Sequence, residues 1–584
     1  MGDYVLVCRP HDEGAMLERS AVLAAKARQQ GYAVQDLNPH AWFGVRGPNP
    51  PKRMQVGGWT LIGDVINRRS PHIPSCSDSD QWNYERKLVA RFWGRFVGVL
   101  FGRTDQPTAF LRDPSGAMEC VVWQDRGLTI ACSSAEAWLL PPVGVWRIDH
   151  DRVSDALHDL IAPTGPLMLD GPIALQPGSI QPLPLPQRAE LIWRPRDFAQ
   201  ISLGAAPRTQ EAMARLEGAI DEAITGLADL GGPLAAEVSG GLDSALVAAT
   251  LTRRRPGATA LWINTFGQTT ESDERRYVRA LARTLDFEPL CQPHVAKPMT
   301  ADWIEAISGR FRPGLNGMDY PQDLAWAKQI EAHGASAVMS GKGGDSILLQ
   351  AATTDIFIDL WRQRRWRAFA SQDVLELAAA NEASIWTLWR EALRYRGGPT
   401  QPLRRAHPIL TPRENDAGLH PWLEGLEAFG PSKCFQIAGV ADSVSHHGPS
   451  ALTRAVDVRH PLCAQPVIET CLALPAWVLT VGGRDRGLAR RVFADRLPTE
   501  ILERRSKGEM TRVYGQMIVE NLAFIRSWLM DGRLAALGLI DREAADGELT
   551  PEVLIWRGQY ATLFTMVTIE GWVRSWEGRL GQTA

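Results

Sequence analysis

The feature that most restricts the fold is a seam at residues 234–250, which read LAAEVSGGLDSALVAAT. An apolar run from Leu234 to Val238 stops at glycines and hydroxyl groups, and small apolar residues then resume at helical spacing. From about residue 207, helical periods alternate with brief apolar runs such as ALWINTF and SAVMS. This alternation predicts an α/β fold with a doubly wound parallel sheet.

The seam itself predicts an anion-binding loop. In a doubly wound sheet, ligands bind outside the carboxyl ends of the strands, where helix N-termini present N–H groups. Gly240 and Gly241 allow the backbone to approach a ligand closely, and Ser239 and Ser244 add hydroxyl donors. The helix predicted from about residue 244 to 253 directs the positive end of its dipole at this loop.

Asp243 is the unusual member of the loop. A carboxylate beside a phosphate raises the energy unless a divalent cation lies between them, so the combination predicts Mg²⁺ and pyrophosphate. The GxxxxGK[ST] pattern of a P-loop is absent. The letters SGGLDS resemble instead the signature loop of the ATP pyrophosphatases, which adenylate a carbonyl or carboxyl oxygen and release pyrophosphate.

A second glycine-rich turn follows an apolar strand at residues 336–349, SAVMSGKGGDSILL. It is similar to a turn of asparagine synthetases and β-lactam synthetases. The resemblance implies that Asp243 and Asp345 are the two carboxylate ligands of Mg²⁺, with phosphate oxygens and water completing the coordination. It also implies that Gly343 and Gly344 contact the nucleotide.

Two C-terminal segments, 458–477 and 483–515, resemble the asparagine synthetase pattern that closes over the nucleotide. The resemblance implies that Lys507, in ERRSKGE, supports the pentavalent phosphorus and then the oxyanion. A compact ammonium delivers point charge to developing negative charge. Only eight of the 63 basic residues are lysines, so a lysine within an arginine-rich segment is informative. Arg486 lies near a family cation and is a candidate phosphate contact.

The N-terminal part resembles the glutaminase domain of the same enzymes over residues 92–134. The resemblance implies an N-terminal-nucleophile-hydrolase-like αββα sandwich over 1–205. Over 206–584 it implies an adenylating synthetase domain with a PP-loop sheet and a helical C-terminal region. A working glutaminase needs Cys at position 2, where this chain has Gly2, and Cys8 lies in an apolar strand-like run. We therefore expect no glutamine hydrolysis.

A lost glutaminase nucleophile beside a retained adenylating site is shared by β-lactam synthetases, carbapenam synthetases and lasso peptide macrocyclases. In all of them the amine and the carboxylate belong to one molecule. The KGGD turn at 342–345 is similar to that of lasso cyclases, whereas β-lactam synthetases carry a catalytic tyrosine there. The later helical region adds aromatic surface through Trp361, Trp366, Trp386 and Trp389. The resemblance implies a macrocyclase that adenylates an Asp or Glu side chain and joins it to the peptide's N-terminal amine.

The implied cofactors are ATP and Mg²⁺. The implied partners are a precursor peptide, a leader-peptide-binding protein and a leader peptidase. Three alternatives stay open at this point: a β-lactam or carbapenam synthetase-like ligase, an ammonia-dependent asparagine synthetase-like ligase, and a non-catalytic peptide-binding scaffold.

Composition narrows the remaining classes of function. With a formal charge of -3 and a pI near 6.5, the chain lacks the excess of positive charge that is typical of nucleic-acid-binding proteins. This argues against nucleic acid as a partner. The eight cysteines are scattered without zinc-site spacing and are typical of reduced thiols. No apolar run approaches the roughly 18 residues of a membrane span, and the start lacks a signal-peptide core. We expect a cytoplasmic protein.

Overall fold

A computed structural model describes residues 1–9, 14–69, 81–270, 272–295, 297–350, 352–395, 407–413, 420–505 and 510–581. The strands in these ranges are β1 (Asp3–Cys8), β2 (Ala33–Asn38), β3 (Ala41–Arg46), β4 (Arg53–Val56), β5 (Trp59–Asn67), β6 (Phe92–Phe101), β7 (Pro107–Arg112), β8 (Val121–Asp125), β9 (Leu128–Cys132), β10 (Arg147–Ile148), β11 (Leu169–Asp170), β12 (Ile173–Ala174), β13 (Ser179–Pro182), β14 (Glu190–Leu191), β15 (Leu234–Glu237), β16 (Thr259–Phe266), β17 (Pro289–Pro293), β18 (Ala337–Met339) and β19 (Asp457–Arg459).

The helices in the described ranges are α1 (Gly14–Gln29), α2 (Asn83–Arg91), α3 (His150–His158), α4 (Pro195–Ala199), α5 (Thr209–Ala228), α6 (Leu242–Arg254), α7 (Arg275–Leu285), α8 (Ala301–Ser308), α9 (Tyr320–Ala332), α10 (Gly344–Ile347), α11 (Asp355–Arg364), α12 (Gln372–Ala380), α13 (Ile385–Arg394), α14 (Pro431–Ser443), α15 (Ala451–Ala455), α16 (Gln465–Ala473), α17 (Ala476–Leu479), α18 (Gly487–Val492), α19 (Thr499–Leu502), α20 (Met510–Glu520), α21 (Leu522–Met530), α22 (Arg533–Ala536), α23 (Arg542–Glu548), α24 (Pro551–Arg557) and α25 (Tyr560–Leu580).

Two stacked antiparallel sheets form the N-terminal part. Their strand orders are β12-β8-β9-β1-β3-β2 and β14-β13-β7-β6-β5-β4. Alternation along β1 divides its side chains between two cores, because successive residues of a strand point to opposite faces. Val5 and Val7 pack in one core with Leu23 and Ala27 of α1. The other face contributes to the core between the sheets, which includes Tyr4, Leu6, Cys8, Phe43, Ile62, Val97, Val99 and Phe110.

The outer face of the second sheet packs against helices of the C-terminal part. Trp59 and Phe96 share one buried core with Leu216 and Ile220 of α5. The layers therefore run helix, sheet, sheet, helix. The relationship to N-terminal-nucleophile hydrolases and the domain boundary near residue 205 both stay predictions.

The C-terminal part contains the predicted parallel sheet, so the α/β prediction is confirmed there. Its five strands have the order β17-β16-β15-β18-β19, and every adjacent pair is parallel. From β15 the chain proceeds to β16 and β17 on one side, and later to β18 and β19 on the other. The direction of winding reverses between β15 and β18, which is where such sheets bind ligands.

Two of these strands are not predicted by the sequence pattern. The region after residue 355 reads as helix, yet Asp457–Arg459 forms β19 beside β18. Three residues are too few to show a period of two, so only pairing with β18 defines them as a strand. The sequence pattern does not indicate β17 either, because Pro289–Pro293 mixes proline, cysteine and glutamine and shows no alternation of apolar and polar residues. The helix at the seam begins at Leu242, two residues earlier than expected.

A buried ion network joins the two parts. Arg95 of β6 donates to both carboxylate oxygens of Asp457 in β19, at 2.9 and 3.0 Å. Asn49 donates to the same carboxylate at 3.1 Å, and Arg459 donates at 2.8 Å. The Asp457 side chain is 1% exposed. The edge of the parallel sheet is thereby fixed to the N-terminal sheets.

The described residues include seven of the eight cysteines and several long helices. Seven cysteines are free thiols, six of them buried, and Cys76 lies outside the described residues. Among the helices that the structure describes, none has the length and apolarity to cross a membrane.

Candidate active site

The first loop of the candidate site connects β15 to α6. The Ser239 backbone N–H donates to Ser244 Oγ at 3.0 Å, and the two hydroxyl oxygens lie 2.9 Å apart. The Gly241 N–H donates to Ser239 Oγ at 3.1 Å. α6 begins at Leu242, so Asp243 lies in the first helical turn, where N–H groups have no partner within the helix. The hydroxyl groups hold the loop in one shape in front of a helix N-terminus.

The second loop, between β18 and α10, lies directly against the first. A Cβ atom on Gly341 would be 2.5 Å from the Ser244 nitrogen, and one on Gly344 would be 2.5 Å from the Asp243 carboxyl carbon. Gly343 has a φ of 87°, a left-handed conformation that favours glycine. The glycines of this turn are therefore required for the two loops to meet.

The predicted metal ligands converge on one guanidinium nitrogen. Arg486 Nη1 lies 2.7 Å from Asp243 Oδ2 and 2.7 Å from Asp345 Oδ1, and its Nη2 lies 2.9 Å from Asp485. Burial lowers the pKa of Arg486, but Asp243 and Asp345 outweigh that effect and raise it above its ordinary value. Arg486 starts α18 in a left-handed conformation with φ of 50°, which non-glycine residues rarely adopt.

This donor set fits a divalent cation. Two carboxylates that approach one positively charged atom from the starts of two helices supply the oxygen ligands that Mg²⁺ prefers, and phosphate and water oxygens would complete the coordination. The Arg486 guanidinium carries positive charge at that point and stands in for such a cation. Over the residues that the structure describes, no group of three or more His, Cys, Asp or Glu side chains could hold a metal by itself. A metal ion at Asp243 and Asp345 would therefore take its remaining oxygen ligands from phosphate and water.

Residues not singled out by the sequence fix the backbone of the first loop. Arg504 Nη1 donates to the Gly240 carbonyl at 2.7 Å, and Glu274 accepts from the Gly240 N–H at 3.2 Å. Arg504 and Glu274 also pair at 2.7 Å. Arg490 donates to Asp485 at 2.8 Å and adds a further cation to the cleft. Arg504 lies in the ERRSKGE segment, which was singled out for its lysine alone.

The loops and these cations enclose a cleft of about 370 Å³. Ser239, Gly240, Gly241, Asp243, Ser244, Asp345 and Arg486 all line it, as the sequence predicts for a nucleotide site. Lys507, the predicted catalytic cation, lies outside the described residues, which resume at 510 after 505. Its role stays a prediction.

Comparison of the chain with protein-family profiles identifies its family. Residues 215–574, well over half of the chain, match the asparagine synthase family. The chain belongs to the asparagine synthase family. Members of this family are ATP-dependent ligases that form AMP. A search of curated proteins finds no match to this chain.

Within this asparagine synthase-like site, Lys342 lies where the cleft meets buried polar groups. Burial raises the pKa of the nearby Asp323 carboxyl to about 6, although the Lys342 ammonium opposes the shift. Burial lowers the pKa of the His446 imidazole to about 4, and the Lys342 ammonium adds to this effect. His460 Nδ1 and Ser340 Oγ form a hydrogen bond at 2.8 Å, and Ser340 lies directly before the second loop. The Lys342 side chain thus has uncharged imidazole nearby at neutral pH.

Proposed function

We propose that this asparagine synthase-family ligase is a peptide macrocyclase. It activates an Asp or Glu side chain of a precursor peptide with ATP and joins that carboxyl to the peptide's own N-terminal amine, giving a threaded macrolactam. The convergence of Asp243 and Asp345 on one cation, 2.7 Å from each, carries the ligase part of the proposal. Two carboxylates at one point of positive charge match the oxygen ligands that Mg²⁺ with a pyrophosphate leaving group would use.

The N-terminal part supports an amine source other than glutamine. A Cβ atom on Gly2 would lie 2.0 Å from the Arg46 carbonyl oxygen, so the backbone there has no room for a thiol side chain. Cys8 is fully buried in β1, which pairs with strands on both sides. Burial raises the pKa of this thiol far above its ordinary value, so it stays protonated. Neither position supplies a glutaminase nucleophile.

The chain's own residues have separable roles in this chemistry. Bound Mg²⁺, held by Asp243 and Asp345, would supply positive charge to the pyrophosphate group. Ser239, Ser244 and the α6 N-terminus bind phosphate oxygens through N–H and O–H donors. Arg486 and Arg490 also line the cleft and add positive charge to it.

The experiment is a product analysis with purified protein. The substrate is a synthetic core peptide with an N-terminal Gly and an Asp or Glu a few residues after it. With ATP and Mg²⁺ we expect a peptide lighter by one water, together with AMP and pyrophosphate. A β-lactam or an asparagine-type side-chain amide as the product would replace this proposal by the corresponding small-molecule ligase.

A second measurement tests the amine source. Glutamine should yield no glutamate with this protein, whether or not ATP is present, because position 2 cannot hold a thiol. Detectable glutaminase activity in pure protein would remove the basis for an intramolecular amine.

A further inference from the structure

Five aromatic rings lie together at the surface of the helical layer between residues 355 and 394. We name this cluster the aromatic patch, and it consists of Trp361, Trp366, Phe369, Trp386 and Trp389. Neighbouring ring centroids are 5.1 to 6.4 Å apart. Trp361 is buried at its base, whereas Trp366 is 66% exposed and Trp386 is 65% exposed.

The two exposed indoles add little to the core of this layer. The buried face of α13 is formed by Leu388 and Ala392, and Trp386 lies outside it. Leu375 and Leu393, on α12 and α13, are also about half exposed. Contiguous exposed apolar surface of this kind marks an interaction site in soluble proteins. Tryptophan and arginine are the residues most often found at the energetic centre of such sites.

The charge around the patch selects the partner. The segments that carry the rings, 361–369 and 386–394, contain six arginines and one acidic residue, Glu391. Arg365, Arg367, Arg390 and Arg394 are exposed. Acids on the neighbouring α12, Asp373 and Glu376, are only partly exposed. Arginine pairs with carboxylates and stacks on aromatic rings, so the surface complements an acidic segment with apolar side chains.

The patch is connected to the catalytic cleft through α12. A Cβ atom on Gly483 would lie 2.4 Å from the Glu376 carbonyl oxygen and 3.1 Å from the Ala380 Cβ, so α12 touches the loop that leads to Arg486. On the other side, Arg364 stacks over Trp477 at 5.2 Å. α12 therefore contacts both α13, which carries Trp386 and Trp389, and the loop that leads to Arg486.

We propose that the aromatic patch docks an acidic, apolar segment of the peptide whose carboxyl group is activated in the cleft. The inference rests on the proposed function and names a second contact surface for the same substrate. A second copy of the chain fits less well, since a symmetric contact would place arginines against arginines. An anionic membrane surface carries the same sign of charge as such a peptide, but it cannot place a carboxylate in the cleft.

The test uses variants that leave the core intact. Trp366→Ala and Trp386→Ala remove side chains that are two-thirds exposed, and Arg367→Glu with Arg390→Glu reverses exposed charge. Leu17→Ala and Val145→Ala serve as matched controls, since both side chains are more than half exposed and lie in the N-terminal part. The probe is a fluorescein-labelled synthetic peptide with Asp and Glu beside Phe and Leu, compared with its Asn and Gln counterpart by fluorescence anisotropy.

We expect the acidic probe to bind wild-type full-length protein and the controls, and the amide counterpart to bind weakly. The tryptophan double variant and the charge-reversed variant should each bind at least about tenfold more weakly. Equal binding by wild type and the tryptophan variant, or no binding of the acidic probe to wild type, overturns the proposal. The proposal is also overturned if the variants bind the peptide normally and lose only binding to phosphatidylserine vesicles, or only self-association measured by sedimentation.

A separate readout distinguishes this failure from failure of the proposed function. AMP formation by wild type with the core peptide reports the ligase reaction, whatever the patch does. If AMP forms but the patch variants leave KM for the peptide unchanged, the docking proposal fails alone. If the probe binds at the patch but no core peptide supports AMP formation, the macrocyclase proposal fails while the docking surface stands.

Discussion

At the scale of single residues, Arg486 shows how the cleft balances its charge. Its guanidinium contacts Asp243, Asp345 and Asp485 at 2.7 to 2.9 Å while only 7% of its side chain is exposed. Carboxylates that share one cation repel one another when that cation is removed. A divalent cation held by Asp243 and Asp345 would supply the positive charge that Arg486 supplies to them in this structure.

The carboxylates themselves give the first residue-scale prediction. Asp243→Asn and Asp345→Asn should each lower turnover at least about a hundredfold and raise the Mg²⁺ concentration needed, because one of two charged ligands is lost. Asp485→Asn is the matched control, since it removes the same charge from the same arginine on its other side. Initial rates across a Mg²⁺ titration test this. Wild-type rates and Mg²⁺ dependence in either ligand variant would show that the two-carboxylate site is misassigned.

Lys507 gives the second prediction, and it separates binding from chemistry. An ammonium that stabilises charge in the transition state matters more for rate than for ground-state affinity. Lys507→Ala should bind ATP within roughly tenfold of wild type but lose about a hundredfold to a thousandfold in rate. Lys507→Arg should also be slow, because a planar fork places its charge differently. Calorimetric ATP titration beside mass spectrometry of the peptide measures both. Near-normal cyclisation by the alanine variant would leave the catalytic cation unidentified.

At the scale of elements, the site depends on how closely two strand-to-helix loops pack. The β18–α10 loop touches the start of α6 through glycines, and no side chain fits between the Gly341 backbone and Ser244. The candidate metal ligands Asp243 and Asp345 thus follow two adjacent strands at the same end of the sheet. Sites built on packed strands and helix ends are positioned more rigidly than sites on free loops.

This packing predicts the effect of a single methyl group. Gly341→Ala would place Cβ 2.5 Å from a backbone nitrogen, and relieving that clash should lower the free energy of unfolding by about 1–3 kcal/mol. ATP binding should weaken in parallel. Gly218→Ala in α5 is the matched control: nothing lies within 4 Å of its Cβ, so stability should stay the same or rise by up to about 1 kcal/mol. Chemical denaturation of both variants tests this, and equal stability would mean that the loops separate without penalty.

At the scale of the whole molecule, Asp457 joins the N-terminal sheets to the parallel sheet. Burial raises the pKa of its carboxyl, but Arg95 and Arg459 outweigh that effect and leave it well below its ordinary value. A carboxyl with a lowered pKa in the folded state binds fewer protons there than in the unfolded chain. Its stabilising contribution is complete above about pH 4 and is lost as the pH falls further.

Asp457→Asn should therefore lower the free energy of unfolding by roughly 3–5 kcal/mol at neutral pH, since two buried arginines lose a charged partner. The difference between wild type and variant should shrink as the pH falls below about 4, because the wild-type carboxyl is then protonated in the unfolded chain while it stays ionised in the folded protein. Urea denaturation at several pH values measures this. A difference that stays constant with pH would show that the loss comes from packing and not from the ion pairs.

The local features of this protein follow from its amino-acid sequence. SGGLDS after an apolar run, and GKGGDS after another, specify strand, turn and helix through contiguous residues, so the parallel sheet and both site loops could be predicted. Family resemblance added Asp345 and Arg486 to the site. Short-range propensity and spacing carry this information because strand, turn and helix start are each decided within a few residues.

Which of these residues contact one another follows from the three-dimensional packing of the chain. That Arg486 bridges Asp243 and Asp345, and that Arg504 and Glu274 hold Gly240, depends on packing between distant segments. Three residues at 457–459 become a strand only because β18 offers an edge to pair with. Trp361 is buried while Trp366 is exposed, although both belong to one aromatic segment. Burial, pairing and charge contacts are properties of the assembled chain, because each requires atoms that local sequence does not bring together.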